Sequence, residues 1–419
     1  MLGATVVAAG CSGPAGDARA QDVSNVTAEP RPEPRTVLEE QQARQMSFDQ
    51  WLAGFRARAL SEGITPGTFD AVMAGIGPSA RIRELDGSQP EFVRPVWEYL
   101  DTAVSDTRVA NGRREAERLD ATMDEIEARY GTDQRTVLAI WGMETAYGSV
   151  RGDFPVARAL ATLAHEGRRR DWAENELIAA MRIVDQGDAR PGELIGSWAG
   201  AMGHTQFMPS SFQAYAQDFD GNGRRDIWSD DPTDALASTA HYLRQEGWQP
   251  GEPWGFEVRL PEGFDWDGAD RYTRRSMGEW RARGVTRYSG AALPDTGEAA
   301  LLAPAGAGGP VFLTFSNFNT IKRYNNSDSY ALAIGLLGDR ITGGPGVQAD
   351  WPRDVLPLTR SDRRELQQRL TALGYDTDGV DGLIGPNSVT AIRNFQRDVG
   401  LVPDGYASNQ LLAAVRERG

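Results

Sequence analysis

From residue 47 to about residue 250 the apolar positions recur at three- and four-residue spacing, the pattern of helices that bury one face. Ser47-Phe-Asp-Gln-Trp51-Leu-Ala-Gly-Phe55 reads as a capped amphipathic helix, because Ser47 offers a side-chain oxygen to the first unpaired N–H groups. The same periodicity predicts helices over 66–76, 90–106, 111–130, 133–147, 173–186, 209–217 and 233–246. Strand-like runs are sparse, Glu257-Val-Arg-Leu260 and Val311-Phe-Leu-Thr-Phe315 being examples. The expected class is mainly α (α+β), with minor strands. Over Gly343-Gly-Pro-Gly-Val-Gln-Ala-Asp-Trp-Pro352 all periodicity stops, which marks 343–358 as a linker. Beyond it Leu366, Leu370 and Leu373 form one stripe ended by Gly374; Val389, Ile392 and Phe395 form a second, and Leu411, Leu412 and Val415 a third. A small three-helix module over 359–419 is expected. Its Asp-Gly turns between Asp376 and Gly385 imitate a calcium site, but turn chemistry accounts for them.

Composition narrows the picture. A chain of 419 residues allows two to three domains, and 11 Trp with 40% hydrophobic residues supply an ordinary core. A net charge of −15 argues against a nucleic-acid ligand. Lys322 is the single lysine among 44 basic residues, so Arg-for-Lys choices carry no weight. The lone Cys11 excludes an intrachain disulfide and a Cys-rich zinc site. It follows the apolar run Ala4-Thr-Val-Val-Ala-Ala-Gly10, and Ala8-Ala-Gly-Cys11 resembles a bacterial lipobox, although Ala8 stands where Leu is usual and no basic residue precedes the run. A lipobox would tether the protein outside the cytoplasm by a lipid anchor at Cys11. Residues 12–46, with Glu29-Pro-Arg-Pro-Glu-Pro-Arg35, read as a tether. No run reaches the roughly 18 apolar residues of a membrane span.

Glu144 is the first candidate for chemistry. In Thr136-Val-Leu-Ala-Ile-Trp-Gly-Met-Glu-Thr-Ala-Tyr-Gly148 the positions Val137, Ile140 and Trp141 make a buried stripe, and Glu144 takes its next step, with Gly148 as the expected helix stop. Burial and the negative helix end both raise a carboxyl pKa, which suits a general acid. The competing reading is a structural Glu paired with an Arg. Ser197-Trp-Ala-Gly-Ala-Met-Gly-His-Thr-Gln206-Phe-Met-Pro-Ser-Ser-Phe212 lets backbone approach a ligand, and Ser197 and Gln206 bring sugar-binding polar groups; a tight inter-helix turn is the plainer reading. Asp218-Phe-Asp-Gly-Asn-Gly-Arg-Arg-Asp226 places oxygens of Asp218, Asp220, Asn222 and Asp226 at loop positions one, three, five and nine, with the Arg224 carbonyl at seven. Position twelve is Ser229, and Asp234 lies five residues further on, within reach only of a longer loop. An Asp/Gly turn without metal is the alternative. Tyr324 and Tyr330 flank a polar turn, where tyrosines can stack on sugar rings.

Trp141-Gly-Met-Glu-Thr-Ala-Tyr-Gly148, Ala199-Gly-Ala-Met-Gly-His-Thr-Gln-Phe-Met-Pro-Ser-Ser211, the Asp218 loop and Arg323-Tyr-Asn-Asn-Ser-Asp-Ser-Tyr330 occur in the order and approximate spacing found in MltB-type lytic murein transglycosylases. The resemblance covers about 47–342. Asp381-Gly-Leu-Ile-Gly-Pro-Asn-Ser-Val-Thr-Ala-Ile-Arg-Asn-Phe-Gln396 resembles a peptidoglycan-binding module. The resemblance implies a lysozyme-like helical catalytic domain in which Glu144 is the single catalytic acid and Gln206, Tyr324, Tyr330 and Ser197 bind glycan. It further implies an EF-hand-like structural Ca2+ site on Asp218, Asp220, Asn222, Arg224 and Asp234, chemistry that needs no cofactor, and a periplasmic location on peptidoglycan strands. The implied reaction cleaves the bond between N-acetylmuramic acid and N-acetylglucosamine and leaves a 1,6-anhydromuramoyl end. The rivals are a water-using muramidase, in which Asp153 or Glu166 would serve as second carboxylate, a non-catalytic wall-binding scaffold, and a calcium-regulated binding protein.

Overall fold

The computed structural model describes residues 47–87 and 94–418. The lipobox-like segment, with Cys11, lies outside them. Seventeen helices dominate the described residues and strands are few, the mainly α class expected. Chain contacts divide the protein into two units, Met1–Ser88 with Val150–Ala235, and Gln89–Ser149 with Leu236–Gly419.

The first unit is centred on two adjoining helices, Val156–Glu166 and Arg170–Asp185. Ala157, Ala159, Ala161 and Ala164 on one, and Ala173, Ala179 and Ala180 on the other, let the two axes approach closely. The Val156–Glu166 helix is absent from the sequence expectations. Eight of its eleven residues are buried, and Arg158, Thr162, His165 and Glu166 make only a narrow polar stripe. The Phe48–Ser61 helix is capped as expected: Ser47 Oγ accepts from the Gln50 N–H and Gln50 Oε1 from the Ser47 N–H. Its Trp51 indole donates to buried Glu174 at 2.9 Å. Strands β1 (Phe154–Pro155) and β2 (Ile195–Gly196) pair antiparallel beside the turn that carries Ser197. Glu176, also buried, accepts from Ser210 N–H and Oγ at 2.9 and 2.7 Å, which fixes the start of the Pro209–Tyr215 helix.

In the second unit the Gln134–Thr145 helix packs along the Asp328–Ile341 helix, which is buried from Tyr330 to Gly338. The stretch 111–130 is two helices, Asp106–Arg118 and Asp120–Tyr130, broken where Leu119 leaves helical geometry to stay buried. Strands β3 (Gly255–Arg259), β4 (Arg274–Ser276), β5 (Thr286–Arg287), β6 (Glu298–Leu302) and β7 (Val311–Thr314) form an antiparallel sheet in the order β4-β6-β7-β3-β5. Two of the five were foreseen; β4 and β5 are too short to alternate visibly, and β6, buried at four successive positions, has no alternation to show. Val258, Met277, Trp280, Leu301, Leu313 and Phe315 make the core of the sheet. The helices Arg360–Ala372, Pro386–Asp398 and Asn409–Arg418 enclose Leu366, Leu370, Ile392, Phe395, Leu411, Leu412 and Val415, seven of the nine residues of the predicted stripes; Leu373 is only partly buried against this core and Val389 is half-buried outside it. Between them and the preceding helix, Trp351 packs on Trp97 at 6.1 Å and Arg353 pairs with Asp101 at 3.2 Å. Arg393 of the module donates to the Ala269 carbonyl, and Asp404 accepts from the Ala307 N–H, both at 2.8 Å.

Candidate active site

Glu144 occupies the last turn of the Gln134–Thr145 helix. The helix stops three residues before Gly148, because Ala146 and Tyr147 both turn left-handed, at φ 49° and 60°. Each such residue costs on the order of 1–3 kcal/mol and persists only where packing dictates it. The packing is that of Tyr147, whose ring folds back over two glycines. A Cβ on Gly142 would lie 2.5 Å from the Tyr147 ring, and one on Gly112 would lie 2.3 Å from its hydroxyl. The hydroxyl donates to the Arg108 carbonyl at 3.0 Å, and the ring stands edge-on to Trp141. Glu144 is thereby held at the carbonyl end of its helix, where the helix dipole opposes a negative charge.

Glu144 is half-buried, and burial raises its pKa from 4.5 to about 7. One contact works against that rise: the Tyr330 hydroxyl donates to Glu144 Oε1 at 2.6 Å. Tyr330 is buried in the first turn of the Asp328–Ile341 helix, where Ser327 Oγ accepts its N–H. Burial and the charge of Glu144 push the Tyr330 phenol well above its ordinary value, so it stays a donor. Asp328, one turn edge away, is opposed by burial but held below the usual carboxylate range by Arg271 and Lys322, the latter at 2.6 Å. Tyr324 ends the Ser316–Tyr324 helix with its ring edge-on to Tyr242 at 5.1 Å, and its charge contributes to the upward shift of Tyr330. Tyr99 was not foreseen. Burial, and next the charge of Glu144, push its phenol up to about 12, which places it in the same environment. It sits on the Val96–Ala103 helix in no recognisable motif, so the sequence carries no signal for it.

Gln206 and Ser197 belong to the first unit. Ser197 is buried, and its Oγ accepts from the Ala201 N–H at 3.0 Å, closing the turn. Gln206 takes a left-handed backbone, φ 55°, and its amide nitrogen donates to the carbonyls of Gly203 (3.0 Å) and Arg151 (3.2 Å). With both amide hydrogens so used, the side-chain oxygen is what Gln206 can offer a ligand. Asp153 and Glu166 also lie in this unit, where they pair with Arg81 at 3.9 Å and Arg83 at 3.0 Å.

The Asp218 loop brings Asp218, Asp220 and Asp234 together, with one carboxylate oxygen of each within 4.8 Å of the others. Asp234 closes the set although it lies beyond the ordinary loop length, because the Thr233–Gln245 helix begins there and presents it in its first turn. Its Oδ1 accepts from the Phe219 and Asp220 N–H groups and its Oδ2 from that of Asp226. Burial raises the Asp234 pKa and Asp220 adds to the rise. Asn222 Oδ1 accepts from the Arg224 N–H at 2.9 Å, while the Arg224 side chain leaves the loop for the Asp188 carbonyl and Glu193. A set of three carboxylates fits a hard cation such as Ca2+.

Residues 47–339 match the family described as "Transglycosylase SLT domain", and 359–415 match "Putative peptidoglycan binding domain". Membrane-bound lytic murein transglycosylase B of Escherichia coli is 31% identical over 277 residues, which is 64% of this chain and 73% of that protein. The structure of SltB3 from Pseudomonas aeruginosa, in complex with NAG-anhNAM-pentapeptide, is 49% identical with a TM-score of 0.85, covering 88% of this chain and 100% of that one. The Escherichia coli lytic transglycosylase Slt35, in complex with calcium, is 29% identical with a TM-score of 0.59 over 70% of this chain and 92% of that one. The fold is thus the lysozyme-like helical one, with a helical module at the C-terminus. With the family's domain matched over most of its length, the chain belongs to the SLT-domain lytic transglycosylases.

Proposed function

We propose that this protein cleaves the β-1,4 bond between N-acetylmuramic acid and N-acetylglucosamine in peptidoglycan, and that Glu144 acts as acid and then as base. The observation that carries the reading is a single carboxyl with a pKa of about 7 and a tyrosine as its hydrogen-bond partner. Protonated Glu144 donates its proton to the glycosidic oxygen as the C1–O bond breaks. The N-acetyl carbonyl of the muramoyl residue stabilises the cationic C1, as in substrate-assisted glycosidases. The glutamate, now ionised, takes the proton of the muramoyl C6 hydroxyl, whose oxygen bonds to C1. The ring closes as a 1,6-anhydro sugar, Glu144 regains its proton, and no water is consumed. Tyr330 holds Oε1 in place through both steps and limits the pKa rise, so that either protonation state is reached near neutral pH.

A hydrolase of the ordinary kind needs a second carboxylate at about 5–9.5 Å. Glu166 pairs with Arg83 at 3.0 Å, and Asp153, largely exposed, lies 3.9 Å from Arg81. Gln206 contributes its side-chain oxygen to a sugar N–H or hydroxyl, and Ser197, Tyr324 and Tyr330 complete the glycan contacts. Asp218, Asp220, Asn222, the Arg224 carbonyl and Asp234 would hold Ca2+, which cross-links the loop to the following helix and takes no part in the reaction. Residues 359–419, as a peptidoglycan-binding domain after the linker 343–358, keep the enzyme on its polymer. A periplasmic location with a lipid anchor at Cys11 accords with the membrane-bound relative; no helix among the described residues is long and apolar enough to cross a membrane.

The test is digestion of purified sacculi by wild type and by Glu144→Gln, with the soluble products weighed by mass spectrometry. Products one water lighter than those of a muramidase, and missing with the variant, are expected. Reducing-end products would replace the transglycosylase by a hydrolase.

A further inference from the structure

A path of hydrogen bonds and short covalent links joins the Asp218 loop to Gln206, all of it within one unit. It starts at Asp234, whose Oδ2 accepts from the Asp226 N–H at 2.9 Å. Asp226 Oδ1 in turn accepts from the N–H groups of Trp228 and Ser229, both at 3.0 Å. The carbonyls of those same two residues face back and accept from Arg151 Nη1, at 2.6 and 2.7 Å. Arg151 then reaches Gln206 through its own main chain, for its carbonyl oxygen accepts from Gln206 Nε2 at 3.2 Å.

A second strand of contacts runs parallel to the first. The ring Nε2 of buried His204 lies 2.7 Å from the Ser229 oxygen, and since a carbonyl only accepts, that nitrogen carries its hydrogen. The His204 N–H donates to the Ile227 carbonyl at 3.0 Å. Gly203, at φ 69°, is pressed so near that its Cβ would stand 2.4 Å from the same Ile227 oxygen. Gly203 is also the other acceptor of the Gln206 amide. Both routes therefore end on the two carbonyls that aim Gln206.

Arg151 is the joint in this arrangement. Its Nη1 donates to the two carbonyls and also lies 3.2 Å from His204 Nε2, while Nη2 faces the exposed Asp230 at 3.3 Å, a pair that adds little in water. The guanidinium is thus fixed mainly by the 228–229 main chain, and the position of that main chain depends on Asp226 and Asp234. Asp234 is a proposed calcium ligand, and Asp226 is bonded to it.

We infer that Arg151 is a positioning residue that couples the calcium loop to Gln206, so that filling the loop sharpens the glycan contact made by the Gln206 side-chain oxygen. Calcium, by gathering Asp218, Asp220 and Asp234, steadies the 226–229 main chain; Arg151 passes that order to the residues 203–206. The inference rests on the reading of Gln206 as a glycan-binding residue.

The test uses the full chain carrying Glu144→Gln, which does not turn over, and a soluble β-1,4 N-acetylglucosamine oligosaccharide as probe. Binding is measured by calorimetry with calcium and with a chelator, and hydrogen exchange of residues 203–207 is read by mass spectrometry under both conditions. Calcium should tighten oligosaccharide binding about fivefold, the low end of ordinary site-to-site coupling, and slow exchange at 203–207. Adding Arg151→Met should weaken both effects to what the His204 route alone carries while calcium still binds, and Arg151→Lys, which keeps a charged donor, should restore them in part. Retention of the full calcium effect on 203–207 exchange in Arg151→Met would overturn the coupling, as would its absence from the parent chain. If Gln206→Ala leaves oligosaccharide binding unchanged, the glycan role of Gln206 is what fails, and the exchange data decide the coupling by themselves.

Discussion

Replacing Glu144 by Gln removes a charge that its surroundings resist and keeps the shape of the side chain. The size of that resistance follows from the rise of the pKa from 4.5 to about 7. At about 1.36 kcal/mol per unit the rise corresponds to roughly 3 kcal/mol, and partial solvent access lowers the figure to about 2–3 kcal/mol. The sign is fixed by linkage. A carboxyl with a raised folded-state pKa leaves stability intact below its unfolded value and withdraws it as pH climbs through the folded value. Wild type thus loses about 2–3 kcal/mol relative to Glu144→Gln between about pH 4.5 and just above pH 7, with no further loss beyond. Tyr330 can still donate, now to the amide oxygen. Chemical unfolding of both proteins at several pH values across that range reads the difference directly. The variant should be inactive, and its stability advantage should widen with pH and then level. A constant difference across the range, or a wild type that gains on the variant as pH rises, would refute the claim that burial holds Glu144 protonated.

Tyr330→Phe deletes the one hydrogen bond that restrains the Glu144 pKa. A hydrogen bond to a charged group is worth about 1.5–3 kcal/mol, so the pKa should climb by about 1–2 units above its present value. The alkaline limb of the rate of product release from sacculi should move up by the same amount; a limb that stays or moves down counts against the assignment. Gly142→Ala puts a methyl 2.5 Å from the Tyr147 ring and must displace it from its place beside Trp141. A loss of about 1–3 kcal/mol is expected, together with lower activity because the Glu144 turn shifts. Thermal unfolding and turnover check the two halves, and an unchanged melting temperature would mean that Tyr147 does not pack there.

The sequence alone determined whatever depends on neighbours along the chain. The stripe Val137, Ile140, Trp141 already placed Glu144 on an inward helix face, because helical periodicity is a local property. Three stripes in the last 60 or so residues gave the C-terminal module and its core, and the Ser47 cap gave the start of the first helix. Spaced oxygens at Asp218, Asp220 and Asn222 marked the loop, since loop ligands come from alternate positions of one short segment. Periodicity failed where an element shows little of it. The Val156–Glu166 helix has only a narrow polar stripe, and β4 and β5, three and two residues long, are too short to show alternation.

Tertiary structure decided the rest. Tyr330 meets Glu144 across 186 positions of sequence, and Tyr99 enters the same environment from a helix with no motif. The resemblance named Tyr330, yet its hydrogen bond to Oε1 appears only when two helices pack side by side. Asp234 joins Asp218 and Asp220 because a helix starts there, and Arg151 reaches the carbonyls of Trp228 and Ser229 across nearly eighty residues. The pKa of Glu144 belongs to the same class, since burial is a sum over atoms from distant segments. Spacing along a chain records which residues share a face; only folding records which faces meet, and with them how strongly a carboxyl holds its proton.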